Sequence, residues 1–210
     1  MLMTSSVRKL ALTTHVTSSV GWLGAVASFL VLAIVGVTSQ NAQIVRVAYI
    51  AMELLTWGVI VPFSSAALLT GIVQSLGTTW GLFRYYWIVA KLALTILATV
   101  ILLVHTQPIG RVAALAAERV LSSADVHQLR IQLIADAGAA MVALLVATTL
   151  SVYKPWGLTS YGRQVLNMTD ASATTRSSGV GWKAVWIFGL LLAIVLFVIV
   201  HLSQGGFHHH

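Results

Sequence analysis

The sequence has no cysteine, and charged residues make up only 8% of its 210 positions. Without cysteine it forms no disulfide and no zinc–thiolate site, and it has no thiolate nucleophile. Soluble domains carry about 25% charged residues. A chain this poor in charge cannot present a surface that water covers, which excludes a soluble globular enzyme, a disordered regulator and a disulfide-stapled secreted domain. Acidic side chains are scarcer still, five against twelve Lys and Arg, for a net charge of +7. The basic residues are spread singly, with no cluster that would follow a nucleic acid backbone. What is abundant is apolar: 58% of residues are hydrophobic and the mean hydropathy is +0.92. The composition predicts an all-α integral membrane protein in contact with the lipid bilayer.

A spanning helix needs about 20 mostly apolar residues. Five segments qualify, at roughly 10–38, 47–76, 85–106, 131–153 and 184–203. The apolar runs are unbroken rather than alternating, so strands are not expected. The reading is a single transmembrane domain over residues 1–203, a helical bundle of five transmembrane helices. Four form the core, and the fifth, nearly featureless from Ile187 to Val200, is peripheral. Residues 204–210 are a tail in which His208, His209 and His210 look like the start of a purification tag. The first ten residues do not read as a cleavable signal peptide, because the apolar stretch after them is too long and no A-x-A site closes it.

Within the second span, Pro62 predicts a kink rather than an end. Residues 111–121 read as a short amphipathic interfacial helix, Ser122 with Asp125 as a capping box opening the fourth helix, and 154–182 as a flexible loop. Arg8, Lys9, Arg84, Lys154, Arg163, Arg176 and Lys183 fall on the side of the N-terminus, against Arg46, Arg111, Arg119 and Arg130 opposite. Seven against four predicts a bacterial inner membrane protein with its N-terminus cytoplasmic and its C-terminus outside.

Ionisable groups inside the hydrocarbon are costly, so each is a functional candidate. His15, Glu53, Lys91 and Asp136 each lie six or seven residues past a basic residue at a helix end, on the order of 10 Å into the span. Helix direction sorts them into two polar layers: His15 with Lys91 on the inner side, and Glu53 with Asp136 on the outer side. His105, at the end of the third span, joins the outer layer. On the first span His15, Ser18, Ser19 and Trp22 form one helical stripe, and Gly21, Gly24, Ala25 and Ser28 permit close approach by a backbone or a flat ligand. An imidazole beside small residues and an aromatic is what a porphyrin pocket needs. A plainer reading stands beside it, in which His15 is hydrogen-bonded and inert, Lys91 snorkels to the headgroups and the two carboxylates pair with neighbouring helices. His127 and His201, near the boundary, read as interfacial.

The pattern H-x6-W-x-G carried by His15, Trp22 and Gly24 resembles the first helix of the HemJ-type protoporphyrinogen oxidases and of the CopD-type copper-resistance membrane domain. Lys91 early in the third span with His105 toward its end is similar to the HemJ-type third helix, and Val-Tyr-Lys-Pro-Trp at 152–156 to the end of its fourth. The stretch from Ser65 to Thr95 most resembles a family of actinobacterial integral membrane proteins. The resemblance covers roughly residues 10–156. It implies haem b as cofactor, His15 and Lys91 as the essential pair with Lys91 in a catalytic role, and, if the chain is an enzyme, an oxidoreductase of the protoporphyrinogen-oxidase type. The Asn-Glu-x-Pro pattern of the HemJ-type fourth helix is absent, with Ala135 and Asp136 in its neighbourhood.

Three functions follow as expectations. The first is a membrane haem b protein working in electron transfer or in porphyrin and haem handling. His15 is its axial ligand, Trp22, Gly24 and Lys91 lie around the haem, and His105 serves the outer layer, on a second haem or as a partner of Asp136. The second is a copper-handling membrane protein. Cu(I) favours Cys and Met, but Met1, Met3, Met52, Met141 and Met168 form no cluster, which leaves a histidine site for Cu(II) near His105 and His127. The third is a cofactor-free membrane partner subunit. A redox or membrane partner protein and a homo-oligomer are both open.

Overall fold

The computed structural model describes residues 3–77, 81–117, 124–155 and 157–169. The expected fifth span, the Ser122–Asp125 cap, His201 and the tail lie outside the described residues. The described chain is helical apart from its loops: α1 (Ser5–Thr38), α2 (Ala42–Leu55), a π turn (Thr56–Ile60), α3 (Val61–Gly77), α4 (Tyr86–Ala117), α5 (Ala124–Tyr153) and α6 (Ser160–Thr169). Helices α2 and α3 join through the π turn, which makes four helical rods long and apolar enough to cross a membrane: Ser5–Thr38, Ala42–Gly77, Tyr86–Ala116 and His127–Tyr153. Only 28–33% of the most apolar window in each rod is buried within the protein, and each rod also carries exposed apolar side chains. Leu10, Val20, Leu54 and Leu69 are among the exposed ones.

Local chemistry sets the ends of the rods. Ser39 is extended and closes α1, and the Asn41 side chain then accepts hydrogen bonds from the backbone N–H groups of Gln43 and Ile44 at 2.9 and 3.3 Å, capping α2. Pro155 disfavours the right-handed helical conformation at the residue before it, and α5 stops at Tyr153. Lys154, which follows, has a left-handed φ of 44°. Pro62 acts differently. It has no N–H for the carbonyl four residues back, and the turn just before it widens, with the Val61 N–H reaching Thr56 O. The rod continues through the proline into α3.

One expectation is corrected here. The third rod does not end near residue 106 and give way to an interfacial helix at 111–121. Helix α4 runs through Pro108 to Ala117. Ile109, Val112, Ala113 and Ala116 fall at i, i+3, i+4 and i+7 and are all buried. The stripe that reads as amphipathic packs into the bundle, not onto a membrane surface, and that burial outweighs one lost backbone hydrogen bond.

Helix α1 packs on α2, α3 and α5, and α4 packs on α2, α3 and α5. The four rods therefore stand as a square in chain order, with α1 and α4 on one diagonal. The core between them holds Trp22, Phe29, Tyr49, Met52, Val112 and Leu133. Arg130 of α5 ties one end together. Its Nε donates to Tyr49 Oη at 2.7 Å, its guanidinium lies 5.5 Å from the centroid of that ring, and its Nη2 donates to Gly36 O. At the other end Thr159 N–H donates to Arg84 O at 2.8 Å, fixing the start of α6 on the α3–α4 connection.

Candidate functional site

The inward stripe of α1 carries His15 three turns from the helix start, followed by Ser18 and Trp22, both buried. Helix α3 lies alongside and presents Ala67, Thr70 and Gly71. A Cβ at Gly71 would stand 3.2 Å from His15 Cε1, so the glycine makes room for the imidazole. His15 Nδ1 lies 3.0 Å from Ala67 O and 3.1 Å from Thr70 Oγ1. The Thr70 hydroxyl hydrogen goes to Ala66 O, leaving its oxygen as an acceptor. A carbonyl only accepts, so Nδ1 carries the hydrogen and the lone pair of His15 is on Nε2. That lone pair faces Lys91 of α4, whose Nζ donates to it at 3.3 Å. The contact crosses the diagonal of the bundle, which only a side chain as long as lysine spans.

The second layer lies fourteen residues further along α4, about 21 Å at helical rise. There His105 is buried, with 5% of its surface exposed. Its Nδ1 donates to Ile101 O at 2.9 Å. Its Nε2 faces Asp136 Oδ2 of α5 at 3.1 Å and Gln132 Nε2 at 3.4 Å. An imidazole nitrogen, a carboxyl oxygen and an amide nitrogen thus converge at one point of the bundle interior. Glu53 is half-buried, its Oε1 3.5 Å from where a Cβ on Gly110 would stand.

Between the two layers the bundle contains a partly open cavity, with about 980 Å³ of atom-free space counting its open side. Trp22 and Phe29 of α1, Leu97 of α4 and Ala140 of α5 form much of its wall, and His105 with Asp136 supply its polar end. The room comes from α5, which offers the small side chains Ala137, Ala139, Ala140 and Ala143 where α4 offers leucines.

The structure thus brings His15 to Lys91 and His105 to Asp136, and keeps the two pairs apart. Trp22 borders the cavity. Gly24 is not gathered with them. It lies on the exposed face of α1, with nothing within 4 Å of an added Cβ, because two residues along a helix turn the chain by about 200°. Gly21, also a candidate for close approach, is filled by the Phe63 ring, 2.6 Å from an added Cβ. His127 is exposed and lies nine residues before Asp136 on α5, about 13 Å along the axis, so it does not reach the metal-bonding distance of His105. Among the described residues no group of three or more His, Asp or Glu converges as a metal site.

Sequence reasoning missed Thr70, Gln132 and the Arg130–Tyr49 lock. Gln132 carried a signal, since it stands four residues before Asp136 on one helical face. Thr70 carried none: only tertiary packing places a residue 55 positions away against His15. Comparison with protein family models, with curated proteins and with solved structures gives no match to this chain.

Proposed function

We propose that this chain is an integral membrane protein of the bacterial cell membrane that binds haem b through His15, and that it serves electron transfer or porphyrin handling. The observation that carries the reading is the state of His15. Its Nδ1–H is held by a backbone carbonyl, and its Nε2 lone pair is turned to the bundle interior. Ligating histidines are oriented in this way, with the second ring nitrogen donating to a carbonyl or carboxylate. The donor set therefore suits an imidazole ligand to iron. His15 would hold the iron, Lys91 would meet a propionate or the open face of the haem, and Trp22 would border the group toward the cavity. Bound haem supplies one-electron redox chemistry. The apolar outer surface of the four rods supports residence in the bilayer, and the basic residues gathered at the N-terminal end support a cytoplasmic N-terminus.

Purified chain, expressed with adequate haem and assayed by pyridine haemochrome, is expected to carry haem. His15→Ala is expected to lose it and His105→Ala to keep it. Full retention in His15→Ala overturns the assignment of the ligand, and absence of a Soret band after reconstitution overturns the haem reading.

A second reading has one observation in its favour: both histidines already have polar partners within the protein, Lys91 and Asp136. On that reading the chain is a cofactor-free membrane subunit, and the same spectrum distinguishes the two. The copper reading has no such support, since His105 and His127 stand apart.

A further inference from the structure

We infer that the cavity walled by Trp22, Phe29 and Ala140 is a binding site for the ring of a lipid-soluble quinone or quinol, with His105 and Asp136 as the residues that hold its oxygen. The inference rests on the membrane placement proposed above but not on haem, and it concerns a different layer of the bundle from His15. Three features of the cavity select the ligand class.

The first is position. The cavity lies between the two polar layers of four apolar rods, so its occupant arrives from the hydrocarbon and is itself lipid-soluble. The second is the wall. It is apolar except at one end, and it sets the indole of Trp22 and the ring of Phe29 on the α1 side against alanines on α5. That suits a flat ring more than a bundle of acyl chains. The third is the polar end. His105 and Asp136 both line the cavity, with His105 Nε2 and Asp136 Oδ2 3.1 Å apart. An imidazole and a carboxyl group supply a donor and an acceptor, which a quinone's carbonyl oxygen and a quinol's hydroxyl respectively require. Apolar pockets with a few convergent polar groups are the usual form of small-molecule sites.

The test titrates the purified full chain in lipid nanodiscs with decylubiquinone and reads tryptophan fluorescence, which quinones quench. Saturable quenching is expected, with its main component absent in Trp22→Phe. Asp136→Asn, which removes the acid, and Ala140→Leu, which fills the cavity, are each expected to weaken binding by about tenfold or more. Decylbenzene has the same tail and a ring but no carbonyl, and it is expected not to compete in the unmodified chain. Quenching that rises linearly without saturation, as simple partition into lipid does, overturns the inference. So does equal competition by decylbenzene, which would mark the cavity as a seat for acyl chains. This ligand comparison needs no variant and decides the matter even where a substitution prevents folding. The haem spectrum is a separate readout, so failure of either reading is distinguishable from failure of the other.

Discussion

Lys91 Nζ and His15 Nε2 meet at 3.3 Å although 76 positions separate them in the chain and their helices occupy opposite corners of the bundle. The pair closes the interior at one end of the rods. A lysine there is bonded to a neutral imidazole rather than to a carboxylate, so its partner keeps a lone pair able to take a metal in its place. In that arrangement the two residues have separable roles, ligand and neighbour.

Lys91→Met keeps the length of the side chain and removes the amine. On the proposed function it is expected to preserve haem binding, which His15→Ala is expected to abolish. It should also lower stability by about 1–3 kcal/mol, because the His15 lone pair is left without a donor inside the bundle. Haem content per chain and unfolding in detergent measure the two effects. Loss of haem equal to that of His15→Ala would give the lysine a direct part in holding the group.

The His105–Asp136 pair is expected to show coupling. Each single substitution, His105→Leu or Asp136→Leu, takes the 3.1 Å contact away from a polar partner inside the bundle, at a cost of about 1–3 kcal/mol. The double substitution replaces both with apolar groups, and its cost should fall below the sum of the singles. The coupling energy, typically about 0.5–3 kcal/mol for residues in contact, is read from a double-mutant cycle of unfolding free energies. Strict additivity would deny the contact an energetic role.

Tyr49→Phe removes the hydroxyl that Arg130 Nε reaches at 2.7 Å. The expected loss is about 1.5–3 kcal/mol, the range for a hydrogen bond to a charged group. Gly36→Val should be at least as damaging, since even a Cβ there would stand 2.6 Å from Tyr49 Cζ. Thermal unfolding of both variants checks the prediction, and a Gly36→Val protein as stable as the parent would contradict the packing of α1 on α2.

The absence of cysteine gives a direct test of orientation. Ser39→Cys, between α1 and α2, is expected to react with a membrane-impermeant maleimide added outside intact cells. Gly157→Cys, at the opposite end of the rods, is expected to react only after permeabilisation. The reverse pattern would invert the proposed topology.

The sequence by itself determined that the chain forms helical rods long and apolar enough to cross a membrane, and which residues merit attention. Unbroken apolar runs of spanning length and a shortage of charge are enough for that. Ionisable groups inside such runs are few enough to name: His15, Glu53, Lys91, His105 and Asp136. The 1.5 Å rise and the alternation of helix direction sort them into two depths, because both are properties of a single helix and need no partner. Packing was not legible in this way. That α1 and α4 occupy a diagonal, that Gly24 turns outward while Trp22 turns inward, and that the stretch after Pro108 is buried depend on which faces meet. All faces of these helices are apolar, so no stripe of polar residues marks the outer side. The hydrogen each imidazole carries on Nδ1 was equally out of reach, since it is fixed by carbonyls: Ile101 O for His105 and, from another helix, Ala67 O for His15. Only the tertiary structure decided these, because alanines facing leucines open a cavity only when their two helices lie side by side.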